Sequence, residues 1–298
     1  MKVENLLEQR SKGRIQVWPD RFCYNFLMTD FNPENLKNLY KPASDSHKGD
    51  NGKVLIIAGS KLFHAASIWP LTVASRIVDM VFYSSVEENN ELVQRAKEEF
   101  RNGIIVPREK IKNYIEESDA ILIGPGLPRE EGIETGDDDT RILTENLFKK
   151  FPNKKWVVDG GSLQVITPEI LPKTSIITPH KGEFRKLFGV EPADENVIAM
   201  AKKFGIVILV KGEYDIVSSP SETVRISGGN PGMTKGGTGD VLAGLVASLY
   251  CKNEAFISAC SASYINKKAG ESVAQRMGIY FNASDLASEI PKVMKEVI

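Results

Sequence analysis

The sequence predicts an α/β fold, with a central, mostly parallel sheet covered by helices on both faces and an antiparallel edge. Three observations carry this. Short, wholly apolar runs such as KVLIIAG and AILIGPG alternate with amphipathic stretches of helical period, as strands buried on both faces do when crossover helices cover them. Most of these runs stop at glycine or at a small polar residue. Past residue 205 the rhythm changes, and IVILVKG, YDIVSS and TVRIS follow one another with only short Gly, Pro and Ser turns between them, which predicts hairpins at one side of the sheet.

Taken in order, residues 1 to about 50 lack sustained periodicity and carry Pro19, Pro33 and Pro42. We read 1–46 as an extension lying on the surface of a domain formed by 47–298. KVLIIAG (53–59) is a strand closed by Gly59-Ser60, and AASIWPLTVASRIV (65–78) is a helix that Pro70 either kinks or starts. The unit recurs as MVFYSS then NNELVQRAKEEF, GIIV then KIKNYIEES, and AILIGPG then a polar loop and TRILTENLFKKF. It continues with KWVVDGG then SLQVI, and TSIITPH then KGEFRKLF. ENVIAMAKKFG leads to the three hairpin strands, and the last third, from TGDVLAGLVASLY to NASDLASEIPKVMKEV, is helical. Asn282 or Ser284 suits the cap of the final helix.

Composition narrows the function classes. The 298 residues carry 38 Lys plus Arg against 39 Asp plus Glu, a net charge of -1. No basic stripe alternates with aromatics, so no nucleic-acid partner is expected, and an anionic ligand must be held by a local site. Cys23, Cys251 and Cys260 stand apart without CxxC spacing, which argues against a zinc site or a disulfide framework and suits a reducing cytoplasm. The first residues mix charge throughout and no stretch of 18 apolar residues occurs. A soluble protein with no membrane partner is expected.

In open parallel sheets ligands bind beyond the carboxyl ends of the strands, and those ends here carry GS, GPG, DGGS, TPHKGE and KGEYD. A further motif is GGNPGMTKGGTGDVLAG (228–244). Gly236, Gly237 and Gly239 leave backbone amides unshielded before a helix that starts near Asp240, and such amides with the positive helix end form an anion site. Asp240 is either that helix's N-cap or a base, since a carboxylate beside phosphate is useful when it takes a proton. His180 and Glu183 lie three apart at a strand-to-helix junction. They suit a polar substrate and a hydrated Mg²⁺, or equally a first-turn acid complementing the helix dipole beside an exposed histidine. Lys211-Gly212 forms a backbone wall for an adenine ring, aims an ammonium at phosphate, or is a plain hairpin turn. HKGDNG before the first strong strand reads as a solvated loop, and EEGIETGDDD as an exposed acidic loop or a metal site.

Together, HKGDNGKVLIIAGS, IGPGL, VVDGGSL, ITPHKGEF, VILVKG and GNPGMTKGGTGDVLAG resemble, in order, the ADP- or ATP-dependent NAD(P)H-hydrate dehydratases of the ribokinase-like fold, over about residues 47–275. The resemblance implies nicotinamide-cofactor repair: a nucleotide, ADP or ATP, drives loss of water from the (S)-hydrate of NADH or NADPH. It implies that Asp240 takes the hydroxyl proton while the Gly237, Thr238 and Gly239 amides stabilise developing charge. It further implies substrate contacts at Ala66, Gly126, His180 and Asp240, adenine-nucleotide contacts at Lys211, Gly212, Glu213, Tyr214, Asp215 and Gly239, and Mg²⁺ at Glu183. A homo-oligomer, commonly a tetramer in this family, and a separate epimerase protein are expected with it. The chain departs from the family at Phe63-His64-Ala65-Ala66, where Tyr-x-Gly-Ala is usual, and at DGGS (159–162), where Asp-Ala-Asp-Ala is usual. Two other functions fit parts of the pattern: a ribokinase-like kinase for a small alcohol or vitamin precursor, and a nucleotide-binding protein without turnover.

Overall fold

The computed structural model describes residues 28–95, 103–129 and 135–298. The strands are β1 (Thr29–Asp30), β2 (Lys53–Ile57), β3 (Met80–Ser84), β4 (Ile104–Ile105) and β5 (Ala120–Ile123). They continue with β6 (Lys155–Val158), β7 (Ser175–Ile177), β8 (Val207–Val210), β9 (Asp215–Ser218) and β10 (Thr223–Ile226). Among the described residues they form one sheet in the order β1-β10-β9-β8-β7-β6-β5-β2-β3-β4. From β8 to β4 every neighbouring pair is parallel, whereas β9 runs antiparallel to both β8 and β10. The antiparallel strands lie where the change of rhythm after residue 205 placed them.

Strand period sorts the core into two layers. Val54 and Ile56 of β2 face the layer covered by α1 (Ala65–Ala74), α8 (Thr238–Tyr250), α9 (Ala255–Met277) and α10 (Ala283–Val297). Leu55 and Ile57 face the opposite layer, with α3 (Ile111–Glu117), α4 (Thr140–Lys150), α5 (Gly160–Val165), α6 (Lys181–Phe188) and α7 (Asp194–Phe204). The remaining helix, α2 (Glu87–Arg95), packs beside β4. Both faces being buried, these strands need no polar alternation, which is why they are legible as continuous apolar runs.

The described part of the extension, residues 28–46, is more than a surface segment. Residues 1–27, with Pro19 and Cys23, lie outside the described residues, as do the end of NNELVQRAKEEF and the first part of the EEGIETGDDD loop. From residue 28 the chain joins the sheet: β1 pairs parallel with β10, and Phe31, Leu36 and Leu39 are buried in the core. A two-residue strand has no alternation to read, so only the partner strand reveals it. Asn32 then caps a short 3₁₀ helix that begins at Pro33.

Helix α1 starts at Ala65 and stops at Ala74, before SRIV, and Pro70 lies in its interior rather than its first turn. That proline faces α8 where Gly244 has no side chain: a Cβ there would fall 2.5 Å from Pro70 Cα and 3.0 Å from its carbonyl oxygen. The two helices therefore approach backbone to backbone. Gly244→Val should cost about 2 to 3 kcal/mol through overpacking, read as a lower midpoint in denaturant unfolding; an unchanged midpoint contradicts the close approach. Asn282, not Ser284, caps α10, in a reciprocal box with Asp285. Cys251 and Cys260 are buried free thiols. Among the described residues no helix is long and apolar enough to cross a membrane.

The five motif-bearing strands β8, β7, β6, β5 and β2 are consecutive in the sheet and mutually parallel. Their carboxyl ends therefore share one edge. Strand order reverses at β2, flanked by β3 on one side and β5 on the other, so the crevice of a topological switch point opens beside Gly59-Ser60 and Gly124-Pro125-Gly126.

Candidate active site

The glycine-rich stretch ends in the first turn of α8. Its N-cap is Gly237, not Asp240, with φ 91°, a left-handed conformation that an L side chain resists. A Cβ at 237 would also fall 2.5 Å from the Trp69 ring. The absence of a side chain is thus required twice. Asp240 sits at the third helical position, so the N-cap alternative does not hold for it. The Thr238 hydroxyl donates to the carbonyls of Met233 at 2.6 Å and Lys235 at 2.8 Å, and its amide reaches Lys235 O at 3.3 Å. These bonds fold GMTKGG into a closed loop and draw the Thr238 amide away from the anion-binding set; the first-turn amides beyond it, Gly239 among them, have no intrahelical acceptor.

Lys211 reaches this turn from the end of β8. Its amide donates to Pro179 O at 2.9 Å, and an isolated parallel bridge to His180 keeps the β7–β8 register three residues beyond the last strand pair, Ile177 with Ile208. The register brings TPHKGE and KGEYD side by side. Lys211 Nζ donates to Asp159 Oδ1 at 2.8 Å and lies 3.3 Å from where a Gly239 Cβ would be. Asp159, at the end of β6 and buried, also accepts the Thr178 hydroxyl at 2.8 Å.

Glu183 is buried in the first turn of α6. Its Oε2 accepts the His180 amide at 2.9 Å and its Oε1 accepts Gln164 Nε2 at 3.1 Å. In return His180 Nδ1 accepts from the amides of Gly182 at 3.0 Å and Glu183 at 3.2 Å, so His180 is the N-cap of α6. Two amide donors to Nδ1 leave the proton on Nε2, 3.5 Å from Glu183 Oε1. The imidazole remains half-exposed at the sheet edge.

Three carboxylates, Asp159, Glu183 and Asp240, therefore surround one ammonium. Burial pushes Asp240 up to about 8; Asp159 adds to this, Lys211 opposes it, and Glu183 adds again. Burial works against the Lys211 charge, but Asp159, Glu183 and Asp240 outweigh it and hold its pKa above the usual lysine value. A carboxyl that titrates near neutrality beside a fixed cation suits proton transfer.

Ala66 and Gly126 meet at the switch point. A Cβ at 126 would fall 2.6 Å from the Ala66 Cβ and 2.8 Å from Phe63 O, and Gly59 N donates to Pro125 O at 2.8 Å. The altered Phe63-His64-Ala65-Ala66 turn thus packs directly on GPG, with Phe63 49% exposed at the rim. Helix α1 carries Ala66 at this end and Trp69, one turn on, against Gly237.

Not all of KGEYD faces the site. Asp215 is buried, accepts Gly212 N at 3.0 Å and Ser263 Oγ at 2.7 Å, and pairs with Lys267 at 3.2 Å. Lys267 also donates to the carbonyls of Gly212 and Glu213 at 3.2 Å and of Gly228 at 3.3 Å. Asp215 and Lys267 brace the hairpin and the glycine stretch, with the Asp215 carboxylate directed to Gly212 N, Ser263 and Lys267. Tyr214 is exposed, with the Arg225 guanidinium 4.4 Å from its ring centre, and Glu213 is exposed beside it. The acidic loop is likewise structural where it is described. Asp137 accepts Lys61 N at 2.9 Å, Asp138 pairs with Arg108, and Asp139 caps α4. Among the described residues no group of three or more His, Cys, Asp or Glu side chains is placed to hold a metal ion. The sequence marks Asp159 only as part of the DGGS strand end, with no role of its own, and does not mark Lys267. Position after an apolar strand was the available signal for the first, and a lysine within a helix offered none for the second.

Residues 54–292 match the sequence profile of the NAD(P)H-hydrate dehydratase family. The chain is 35% identical over 274 residues to the ADP-dependent (S)-NAD(P)H-hydrate dehydratase of Nitrosopumilus maritimus, covering 85% of this chain and 91% of that protein. It spans about half the length of the bifunctional NAD(P)H-hydrate repair enzymes it also matches, 52% for that of Methanocaldococcus jannaschii at 35% identity over 88% of this chain. A ribokinase-like protein from Enterococcus faecalis superposes with TM-score 0.79 at 23% identity, covering 91% of this chain and 96% of that one. The ADP/ATP-dependent NAD(P)H-hydrate dehydratase of Bacillus subtilis, co-crystallised with ATP/Mg²⁺, gives 0.76 at 23% identity over 91% and 99%.

Proposed function

The chain belongs to the NAD(P)H-hydrate dehydratase family, and from that premise we propose that it restores NADH or NADPH from the (S)-hydrate at the expense of a nucleotide, with Asp240 as the base. The observation that carries this is the placement of Asp240 in the first turn of α8, its carboxyl raised to about 8 and the Lys211 ammonium beside it. In the first step the hydrate hydroxyl oxygen bonds to the terminal phosphorus of the nucleotide, its proton passes to Asp240, and the bond to the departing nucleotide breaks. First-turn amides of α8 with Gly239, and Lys211, balance the charge that develops on the phosphoryl oxygens. In the second, the ring nitrogen's lone pair expels phosphate by breaking the bond between the ring carbon and the phosphorylated oxygen, and the adjacent carbon loses a proton to the departing phosphate or to water, restoring the double bond.

Ala66, Gly126 and the half-exposed imidazole of His180 line the substrate side in this proposal, and Lys211, Gly212, Glu213 and Tyr214 the adenine-nucleotide side. Asp215 belongs there only as the brace of that turn. Asp159 is taken up by Thr178 and Lys211, so Glu183 is the residue that would hold a hydrated Mg²⁺ arriving with the nucleotide, through water. When bound, such an ion offsets phosphate charge. ADP is the favoured donor, as in the Nitrosopumilus maritimus relative. The cytoplasm is the proposed setting, where the buried thiols Cys251 and Cys260 stay reduced.

Incubation with hydrated NADH, Mg²⁺ and ADP or ATP should restore the absorbance band of reduced nicotinamide and release inorganic phosphate. Nucleotide binding without recovery of that band overturns the proposal, and a stable phosphorylated product in its place identifies a small-alcohol kinase.

A further inference from the structure

We propose that Asp159 is the positioning residue of this site: by engaging Lys211 it keeps the ammonium on the first turn of α8 and out of a closed ion pair with Asp240. The inference rests on the proposed role of Asp240 as base. Asp159 touches neither reactant in this scheme and acts through Lys211.

The geometry is a relay of fixed contacts. Asp159 is 2% exposed and its carboxylate accepts both the Thr178 hydroxyl and Lys211 Nζ, each at 2.8 Å. Its backbone is fixed as well. The Asp159 carbonyl occupies the space a Gly124 side chain would need, and Asp159 N donates to Ile123 O at 3.1 Å. Although Asp159 is the residue before α5, its side chain makes no capping bond to that helix. An aspartate in a favoured capping position that turns instead toward a lysine and a threonine has its orientation set by those partners.

The lysine has the reach to do otherwise. Its chain is flexible, a compact ammonium can pair with any nearby carboxylate, and Asp240 and Glu183 are both close enough to raise its pKa. Glu183 is already held by the His180 amide and Gln164. Asp240 is thus the carboxylate most open to capture by Lys211 if Asp159 lets go. Captured, Asp240 becomes a weaker base, and the ammonium leaves the place where phosphoryl oxygens develop charge. The charged groups facing Asp240 are Lys211 from the end of β8, Asp159 from the end of β6 and Glu183 from α6, with the His180 ring beside Glu183. Removing the Asp159 charge takes away a repulsion and frees an attraction, and both changes favour the ionised form of Asp240.

Asp159→Asn, which keeps the shape and the Thr178 bond, tests this in two arms. In the free protein, ¹³C-carboxyl NMR should show the Asp240 titration moving to lower pH by at least about one unit, a tenfold change in proton affinity. An unmoved or upward-shifted titration overturns the proposal whatever the activity of the chain. In turnover, the acid limb of the kcat/KM profile should move the same way while kcat at the plateau falls by about tenfold or more and KM for the hydrate changes little. Loss confined to KM, or a uniform loss without movement of the limb, overturns it. Should wild-type protein show no turnover, the proposed activity fails and the NMR arm still decides the positioning role. Thr178→Val, which removes the other partner but leaves the charge, controls for folding: its Asp240 titration should stay within a few tenths of a unit of wild type, and a shift as large as that of Asp159→Asn overturns the role of the charge.

Discussion

Asp240→Asn should remove nucleotide-driven NADH recovery while making the free protein more stable. General-base catalysis is worth about 10² to 10⁴ in rate, and an amide cannot accept the proton, so a loss of at least about a thousandfold in kcat is expected with nucleotide binding retained. The stability effect has the opposite sign. Asp240 holds its proton up to about 8 in the folded chain, whereas in the unfolded chain it ionises near 4. The folded state therefore binds a proton that the unfolded state has released between those values. Its penalty is absent below about pH 4 and grows as pH rises toward 8. At neutral pH, with partial exposure of the group discounted, relief of that penalty is on the order of 2 kcal/mol. Thermal unfolding at pH 5 and pH 7.5 checks the sign: the Asn variant should gain more at the higher pH. A variant less stable than wild type at pH 7.5, or one that still restores NADH, contradicts the assignment. For wild type the same titration predicts that kcat/KM climbs with pH until about 8.

Much of this site is legible in the chain because strands buried on both faces leave an uninterrupted apolar signature, and each such strand delivers its last residues to one edge. Gly59, Gly126, Asp159, His180 and Lys211 are all found by counting from the end of an apolar run. Chemistry at an edge reached in this way needs no long-range information. What the chain hides is orientation and pairing. Asp240 and Asp215 are both aspartates in glycine-containing motifs, yet one lies at the third position of α8 and the other pairs with Lys267 from α9, 52 residues further along the chain. His180 reads as a ligand-facing histidine and is also the cap of its helix, a role more often given to Ser, Thr, Asp or Asn. The two-residue β1 escapes for a related reason: its partner β10 is almost two hundred residues away and supplies all of its definition.

The second large effect is expected at Lys211, and it runs against that of Asp159→Asn on the pH axis. Lys211→Met keeps the aliphatic stem but removes, among the described residues, the cation that lies among Asp159, Glu183 and Asp240. Leaving buried Asp159 without its partner costs about 3 kcal/mol, as breaking one half of a buried pair does, so the variant should unfold at lower denaturant. Loss of a charge-stabilising donor at the phosphoryl group should lower kcat/KM by about a hundredfold or more. The diagnostic part is the acid limb. Lys211 is the one neighbour that lowers the Asp240 pKa, so its removal pushes that carboxyl above 8 and moves the limb to higher pH. Asp159→Asn moves it to lower pH. Two variants that each break the same 2.8 Å ion pair thus displace the profile in opposite directions. A general loosening of the site would move both limbs alike, and movement of both variants the same way would show that the charges of Asp159 and Lys211 do not act on Asp240 as the geometry requires.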